Sequence, residues 1–169
     1  YPGRGLFSVN LFASTQLLAA VSGSTLFTFF GVVPTARGTI ADDFNHSRVT
    51  MVTNGDAGGQ VLISSGIGTK TLYSYNIATT ALTTLTPPGS IVGFLNGYGL
   101  ALDPDTSTLQ WSAVEDFTSW DPLDVAQRND AADRWIGLLV SHNEIWLFGS
   151  ETTSIYSITD ADPPFQPIS

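Results

Sequence analysis

The chain has 169 residues and a net charge of −9; 43% of the residues are hydrophobic and only 12% are charged, which excludes intrinsic disorder. It has no cysteine and two histidines, so a disulfide framework, a thiolate zinc site and a three-histidine metal site are excluded. No apolar run approaches the roughly 18 residues that a membrane-spanning helix needs, so we predict no membrane contact.

Short β-strands follow one another along the chain. Gly and Pro interrupt it about every eight to twelve residues, and Thr, Ser, Val, Ile, Phe and Tyr fill the intervals, which is typical of antiparallel strands. The predicted strands are residues 5–10, 16–21, 25–30, 38–41, 49–53, 60–64, 71–75, 82–85, 91–95, 99–102, 108–112, 135–140, 144–148 and 154–158.

Turn residues recur at a regular interval. Asn54-Gly55, Asn96-Gly97 and His142-Asn143 each separate two apolar runs, and Asn-Gly suits the positive backbone angles of a tight hairpin. The first two turns lie 42 residues apart, and the third follows after about 46. An aromatic–serine pair follows each turn in a third strand, at Tyr73-Ser74, Trp111-Ser112 and Tyr156-Ser157.

A repeat of about 40–45 residues with four short strands is typical of β-propeller blades. We therefore predict an all-β, antiparallel, β-propeller-like fold with blades at about 5–46, 47–88, 89–133 and 134–169. A β-sandwich with similar turn spacing is the alternative. Because the chain begins with Tyr1-Pro2, we expect it to be a single β-propeller-like segment of a longer protein.

Residues 123–133, preceded by Asp121 and Pro122, form the one stretch in which we predict one or two helical turns.

Several polar groups are candidates for chemistry, and each has a structural explanation. Residues 55–59 are glycine-rich but open no helix, so we interpret them as a flexible hairpin tip. Residues 103–107 alternate oxygen ligands as a calcium loop does, yet they lack its glycine and its glutamate, which favours a turn. Glu115, Asp116, Asp121 and Asp124 offer the paired carboxylates of a glycosidase, but capping and turn formation account for them. We predict no catalytic residue, no metal and no cofactor.

The aromatic residues and histidines receive similar interpretations. Trp111, Trp135 and Trp146 lie on predicted strands and are expected to pack between blades. Trp120 is expected in a turn and is the one candidate for a carbohydrate contact. His46 and His142 are expected to be ordinary loop residues, because the sequence has no nucleophile elbow to complete a triad.

Acidic residues accumulate in the last part of the chain. Residues 1–100 carry four basic and three acidic residues, whereas residues 101–169 carry two basic and twelve acidic residues. We predict that an acidic segment either faces a DNA channel, where it repels phosphate, or forms a solvated outer surface. Its six members are Glu115, Asp116, Asp121, Asp124, Asp130 and Asp133.

An ordered series of short motifs carries a family resemblance. It consists of Trp111-Ser112, a Trp-Asp-Pro-Leu-Asp turn at 120–124, an Ala/Asp-rich link at 126–133, Ile-Trp-Leu-Phe-Gly at 145–149, Glu-Thr-Thr at 151–153 and Pro-Pro-Phe at 163–165. In this order the motifs resemble the packaged-DNA stabilisation proteins of short-tailed phages, the tail hub or nozzle family.

The resemblance implies a structural, non-catalytic component of the virion that is assembled in the host cytoplasm. It implies a homo-oligomeric ring that contacts portal or adaptor and tail proteins, extends the DNA exit channel and helps to retain the packaged genome until ejection. Exiting double-stranded DNA would pass the ring in transient, non-sticking contact. The alternative function is a glycan-binding or glycan-hydrolysing β-propeller, which regular aspartate boxes in further blades would favour.

Overall fold

A computed structural model describes residues 2–11, 15–128 and 133–168. Within them the chain forms sixteen strands and one single-turn helix. The strands are β1 (Gly3–Leu11), β2 (Thr15–Ser22), β3 (Thr25–Phe30), β4 (Val33–Thr39), β5 (Thr50–Thr53), β6 (Gln60–Ser64), β7 (Thr71–Asn76), β8 (Leu82–Pro88), β9 (Ile91–Leu95), β10 (Tyr98–Asp103), β11 (Thr108–Ala113), β12 (Asp116–Gln127), β13 (Trp135–Ser141), β14 (Glu144–Gly149), β15 (Thr153–Ile158) and β16 (Phe165–Pro167). The helix α1 spans Gly55–Gly58.

The strands form four separate four-stranded antiparallel sheets, each an up-and-down meander in chain order. We call them blade I (β1–β4), blade II (β5–β8), blade III (β9–β12) and blade IV (β13–β16). The first strands of successive blades contact one another, β1 with β5, β5 with β9 and β9 with β13. The blades are therefore arranged around a common axis with their first strands innermost and their fourth strands at the outer rim, which confirms the propeller-like prediction.

The predicted repeat also appears at the level of single strands. The hairpins at Asn54, Asn96 and His142 lie in three different sheets, each between the first and the second strand. The aromatic–serine pairs all lie on third strands, β7, β11 and β15. The turn at Gly23 is not equivalent to these three hairpins, because it joins the second and third strands of blade I.

Backbone angles confirm the tight hairpin predicted at Asn96-Gly97 and contradict the one predicted at Asn54-Gly55. Asn96 and Gly97 both have positive φ, 46° and 90°, as a two-residue type I′ hairpin requires. Asn54 has a φ of −88° and precedes α1, so this connection is not a tight hairpin. The glycine-rich stretch that we expected to be a flexible tip instead forms the single turn of α1, which ends at a left-handed Gly59.

The hydrophobic core consists of inter-blade layers. In β6, Val61 and Ile63 pack towards blade I, whereas Leu62, on the opposite face, packs towards blade III. Because alternate residues of a strand point to opposite faces, a second strand with both faces buried has apolar side chains on both of them, as β6 has between Gln60 and Ser64. Trp111 and Trp135 are fully buried between blades III and IV, as predicted. Trp146 is only half-buried, because it lies on the face of blade IV that points away from blade III.

The helical prediction for residues 123–133 is wrong over 123–127, which belong to β12, and residues 129–132 lie outside the described part of the chain. Trp120, expected in a turn, also lies on β12. This strand bulges, because Ser112 pairs with Trp120 while Gln110 already pairs with Val125. Pro122 is tolerated there because an outermost strand does not need every N–H for its ladder. No helix within the described residues is long and apolar enough to cross a membrane.

Candidate functional site

The antiparallel meanders give the arc of blades two chemically different ends. The links between blades and those between second and third strands lie at one end, which we call the connector end. The links from first to second and from third to fourth strands lie at the other, which we call the hairpin end. This assignment follows from the strand order alone, since each strand reverses the direction of the one before it.

Charge is unequally divided between the two ends. The connector end carries five basic and six acidic described residues: Arg4, Arg48, Lys70, Arg128 and Arg134 with Asp42, Asp43, Asp103, Asp105, Asp133 and Glu151. The hairpin end carries six acidic residues: Asp56, Glu115, Asp116, Glu144, Asp160 and Asp162. Among the described residues it has no basic residue, because the remaining one, Arg37, lies on β4. The negative potential of the protein is therefore concentrated at the hairpin end.

Cations of the same chain form ion pairs with four acids of the connector end, namely Asp42, Asp103, Asp105 and Asp133. The Lys70 ammonium lies 3.1 Å from the Asp103 carboxylate and also contacts Asp105. The Asp105 carboxylate has a lowered pKa, because it accepts this hydrogen bond from Lys70. The lysine thus occupies the position that a calcium ion would need in this loop. Across the described residues, no group of three His, Cys, Asp or Glu side chains could hold a metal ion.

Arg4 organises the connector end of blades I and II. It is 3% exposed, and its guanidinium donates hydrogen bonds to four main-chain carbonyl oxygens from four connector-end positions. These oxygens belong to Gly23, Ala41, Ser47 and Ser65. The sequence signal for this role is an arginine placed just before the first predicted strand, residues 5–10, and by itself it resembles any surface arginine.

The first two acids of the predicted acidic segment connect blade III to blade II. Asn54 donates a 3.1 Å hydrogen bond to the main-chain carbonyl of Glu115, and Gln60 donates one of 3.3 Å to the Asp116 carboxylate. The hydroxyl and main-chain N–H of Thr118 also donate to Asp116, and these bonds, the hydroxyl first, lower its pKa. At the hairpin end, Asp116 therefore has a structural role through its carboxylate, whereas Glu115 takes part through its main chain.

Asp121 and Asp124 lie on the bulge of β12 at the outer rim. Asp121 is exposed, and its carboxylate accepts a 2.9 Å hydrogen bond from the N–H of Leu123. Burial raises the pKa of Asp124, and the negative charges of Asp121 and Asp162 raise it further. The carboxylates of this rim are thus close enough to repel one another.

Asp133 lies at the connector end, away from the four acids at the hairpin end and the outer rim. It accepts hydrogen bonds from the N–H groups of Glu151 and Thr152 and forms a 3.2 Å ion pair with Arg128. The Glu151 hydrogen bond is the largest cause of its lowered pKa, about 2. Asp130 lies outside the described residues. The described members of the predicted segment are thus distributed over the hairpin end, the outer rim and the connector end.

The two histidines are both exposed loop residues. Nδ1 of His46 lies 2.8 Å from the Asp42 carboxylate at the connector end. His142 is at the hairpin end, where its Nδ1 lies 3.2 Å from the hydroxyl of the adjacent Ser141. The two rings therefore stand at opposite ends of the arc and do not share a site.

Comparison with known proteins relates these blades to one family. The family model described as phage stabilisation, bacteriophage P22 Gp10, β-propeller, matches residues 9–169. No curated protein matches the chain significantly.

Proposed function

Because the chain belongs to the phage stabilisation family, which makes it a bacteriophage structural protein of the virion, we propose that it forms part of the tail hub, or nozzle. In this role several copies assemble as a ring with portal or adaptor and tail proteins. The ring extends the DNA exit channel and helps to retain the packaged genome until ejection. The family match over nearly the whole chain is the observation that carries this proposal.

The structural use of the carboxylates supports a non-catalytic role. A glycosidase needs two carboxyl groups that are free to act on a bound sugar. Here the Asp116 carboxylate takes part in a contact between blades, and the Asp133 carboxylate accepts three hydrogen bonds from Glu151 and Thr152. These groups are occupied in holding links and blades together.

The division of charge supports a particular orientation in the channel. DNA carries one phosphate charge per strand about every 3.4 Å, and basic residues bind it by releasing counterions. A surface with acids and no described cation repels it over roughly 8–10 Å at moderate salt. We therefore place the hairpin end towards the passing duplex, where it would keep the DNA from sticking during exit.

Deletion of the gene in the phage tests the proposed function. Heads assembled without the protein are expected to package DNA and then lose it, and supplying the protein from a plasmid is expected to restore retention. The measurement is the amount of nuclease-protected DNA per purified particle. Particles that lack the protein and yet keep a full protected genome would overturn the proposal.

A further inference from the structure

A cavity of about 250 Å³ lies at the outer rim, between the outermost strands of blades II and III. Thr86 and Pro87 of β8 form one wall, Trp120, Asp121 and Pro122 of the β12 bulge form the other, and Gln110 of β11 lies among the lining residues. The bulge therefore turns three consecutive residues towards the neighbouring blade, which is a common use of an irregularity on an edge strand.

The aromatic wall of the cavity is held in place. The indole N–H of Trp120 donates a 2.8 Å hydrogen bond to the main-chain carbonyl of Phe117. Its ring also packs against the apolar layer between blades II and III, which includes Leu62 and Phe117. Because its one donor is already used, Trp120 offers the cavity a π-surface and no hydrogen-bond donor.

The polar groups at the cavity include one exposed acceptor, the carboxylate of Asp121, and one buried acceptor, the side-chain oxygen of Gln110. Oε1 of Gln110 is buried and has no hydrogen-bond partner, although leaving a buried amide oxygen unsatisfied is costly. Oδ1 of Asp121 binds the N–H of Leu123, and the carboxylate has a second oxygen available. Because Oε1 of Gln110 has almost no accessible surface, the carboxylate of Asp121 is the group that can accept a hydrogen bond from a ligand.

The surroundings are negatively charged. Asp121 lies at the cavity, whereas Asp124, which accepts a hydrogen bond from Trp111, is on the opposite face of blade III. The residues that line the cavity include no Lys or Arg to offset this charge. A cation in the cavity would be attracted to the carboxylate of Asp121.

From these features we propose that the cavity receives an arginine side chain of a partner protein. A guanidinium has five donors and no acceptor, stacks on an indole ring and pairs with a carboxylate. Here its plane would lie against Trp120, and its N–H groups would reach the carboxylate of Asp121. Leu123, which is 86% exposed beside the cavity, would contact the apolar part of the same partner segment. The inference stands independently of the tail-hub assignment.

A titration with capped arginine tests this site. The indole N–H signal of Trp120, identified by its loss in Trp120→Phe, is followed in two-dimensional NMR spectra of the isotope-labelled protein. We expect a saturable shift with capped arginine and a much weaker one with capped citrulline, which has the same shape without the charge. Asp121→Asn, an exposed position, is expected to weaken arginine binding about threefold or more, the usual scale for one partly exposed ion pair. Asp160→Asn at the hairpin end is the matched control and should leave the affinity unchanged.

Three results would overturn the proposal. Equal shifts with arginine and citrulline would show that charge is not recognised. A shift with a neutral monosaccharide but none with arginine would identify a glycan site. No shift with any of these compounds, in a protein whose spectrum shows it folded, would leave the cavity without a ligand.

Discussion

Arg4, at the start of blade I, donates a 2.6 Å hydrogen bond to the carbonyl oxygen of Ser65, which follows the second strand of blade II. The two residues are 61 positions apart in the chain, and a single side chain thus joins two blades at the connector end. The same guanidinium lies 3.2 Å from the Asp42 carboxylate, on the link between those blades.

Removal of this guanidinium is expected to destabilise the protein strongly. Arg4→Met keeps most of the apolar stem but leaves buried carbonyl oxygens without donors, so we expect the free energy of unfolding to fall by about 3–5 kcal/mol. Arg48→Met, at an exposed position of the same link, is the control and should change it by less than about 0.5 kcal/mol. Urea denaturation followed by tryptophan fluorescence measures both. Equal midpoints for the two variants would contradict the role of Arg4.

Close approach of the inner strands of blades III and IV depends on Gly93. A Cβ atom at this position would lie 2.7 Å from Cδ2 of Leu138 and 3.1 Å from Cγ2 of Val140. Gly93→Ala should therefore push β9 away from β13 and lower the free energy of unfolding by about 1–3 kcal/mol. Gly3→Ala, where nothing lies within 4 Å, is the control. If both substitutions were equally tolerated in thermal unfolding, the blades would not be packed this closely.

Asp133 makes the stability depend on pH in the acid range. Its pKa is lowered from 3.8 to about 2 in the folded protein, so its stabilising contribution is present above pH 3.8 and is lost as the pH falls towards 2. Asp133→Asn should therefore reduce the slope of stability against pH in this window. Chemical denaturation at several pH values gives the slope, with Asp160→Asn as the control that retains it. An unchanged slope in Asp133→Asn would mean that its hydrogen bonds to residues 151 and 152 do not form.

The outer faces of blades I and IV are expected to drive self-association of the isolated chain. On blade IV, Leu138 and Val140 pack against blade III, so Leu139 and its cross-strand partner Trp146 point the other way, beside Phe148. Leu139 is 53% exposed there. Apolar patches of this kind favour association. Sedimentation should show oligomers that Leu139→Thr with Phe148→Thr reduces, whereas Val32→Thr, at a β3–β4 turn residue that is 93% exposed, does not. A monomer that unfolds cooperatively above about 60 °C would contradict this prediction.

Neutralising acids at the hairpin end is expected to impair DNA exit without impairing assembly. Asp160→Asn with Asp162→Asn removes two exposed charges, so the duplex should interact more strongly with the channel and leave more slowly. The delay should depend on salt concentration, because phosphate contacts are screened. Ejection triggered in vitro and followed with a DNA dye measures the rate. Asp105→Asn with Glu151→Gln removes two exposed acids of the connector end and serves as control. The same rate in both double variants would place the hairpin end away from the DNA.

The repeat was readable in the sequence because it depends on local physics. Asn96-Gly97 specifies its own turn through positive φ angles, and a continuous apolar run such as Val61–Ile63 specifies a strand that needs cover on two faces. Each blade is formed from strands adjacent in sequence, so short-range signals were enough to predict four-stranded units. The same reasoning failed at residues 123–127, where Asp121 and Pro122 resemble a helix start. Pairing of β12 with β11 outweighed that local preference.

The sequence by itself therefore determined an all-β chain of blade-sized repeats with an excess of acid. Only the tertiary structure decided where the charges lie. The direction of the preceding strand decides whether a charged residue in a link lies at the connector end or at the hairpin end. It separated Glu115 and Asp116 at the hairpin end from Asp133, which pairs with Arg128 at the connector end. It also brought Gln110 and Trp120 to one cavity through a bulge that has no sequence signature. The hydrogen bonds from Asn54 and Gln60 to residues 115 and 116 arise only when blades II and III pack side by side, because neither blade contains both partners.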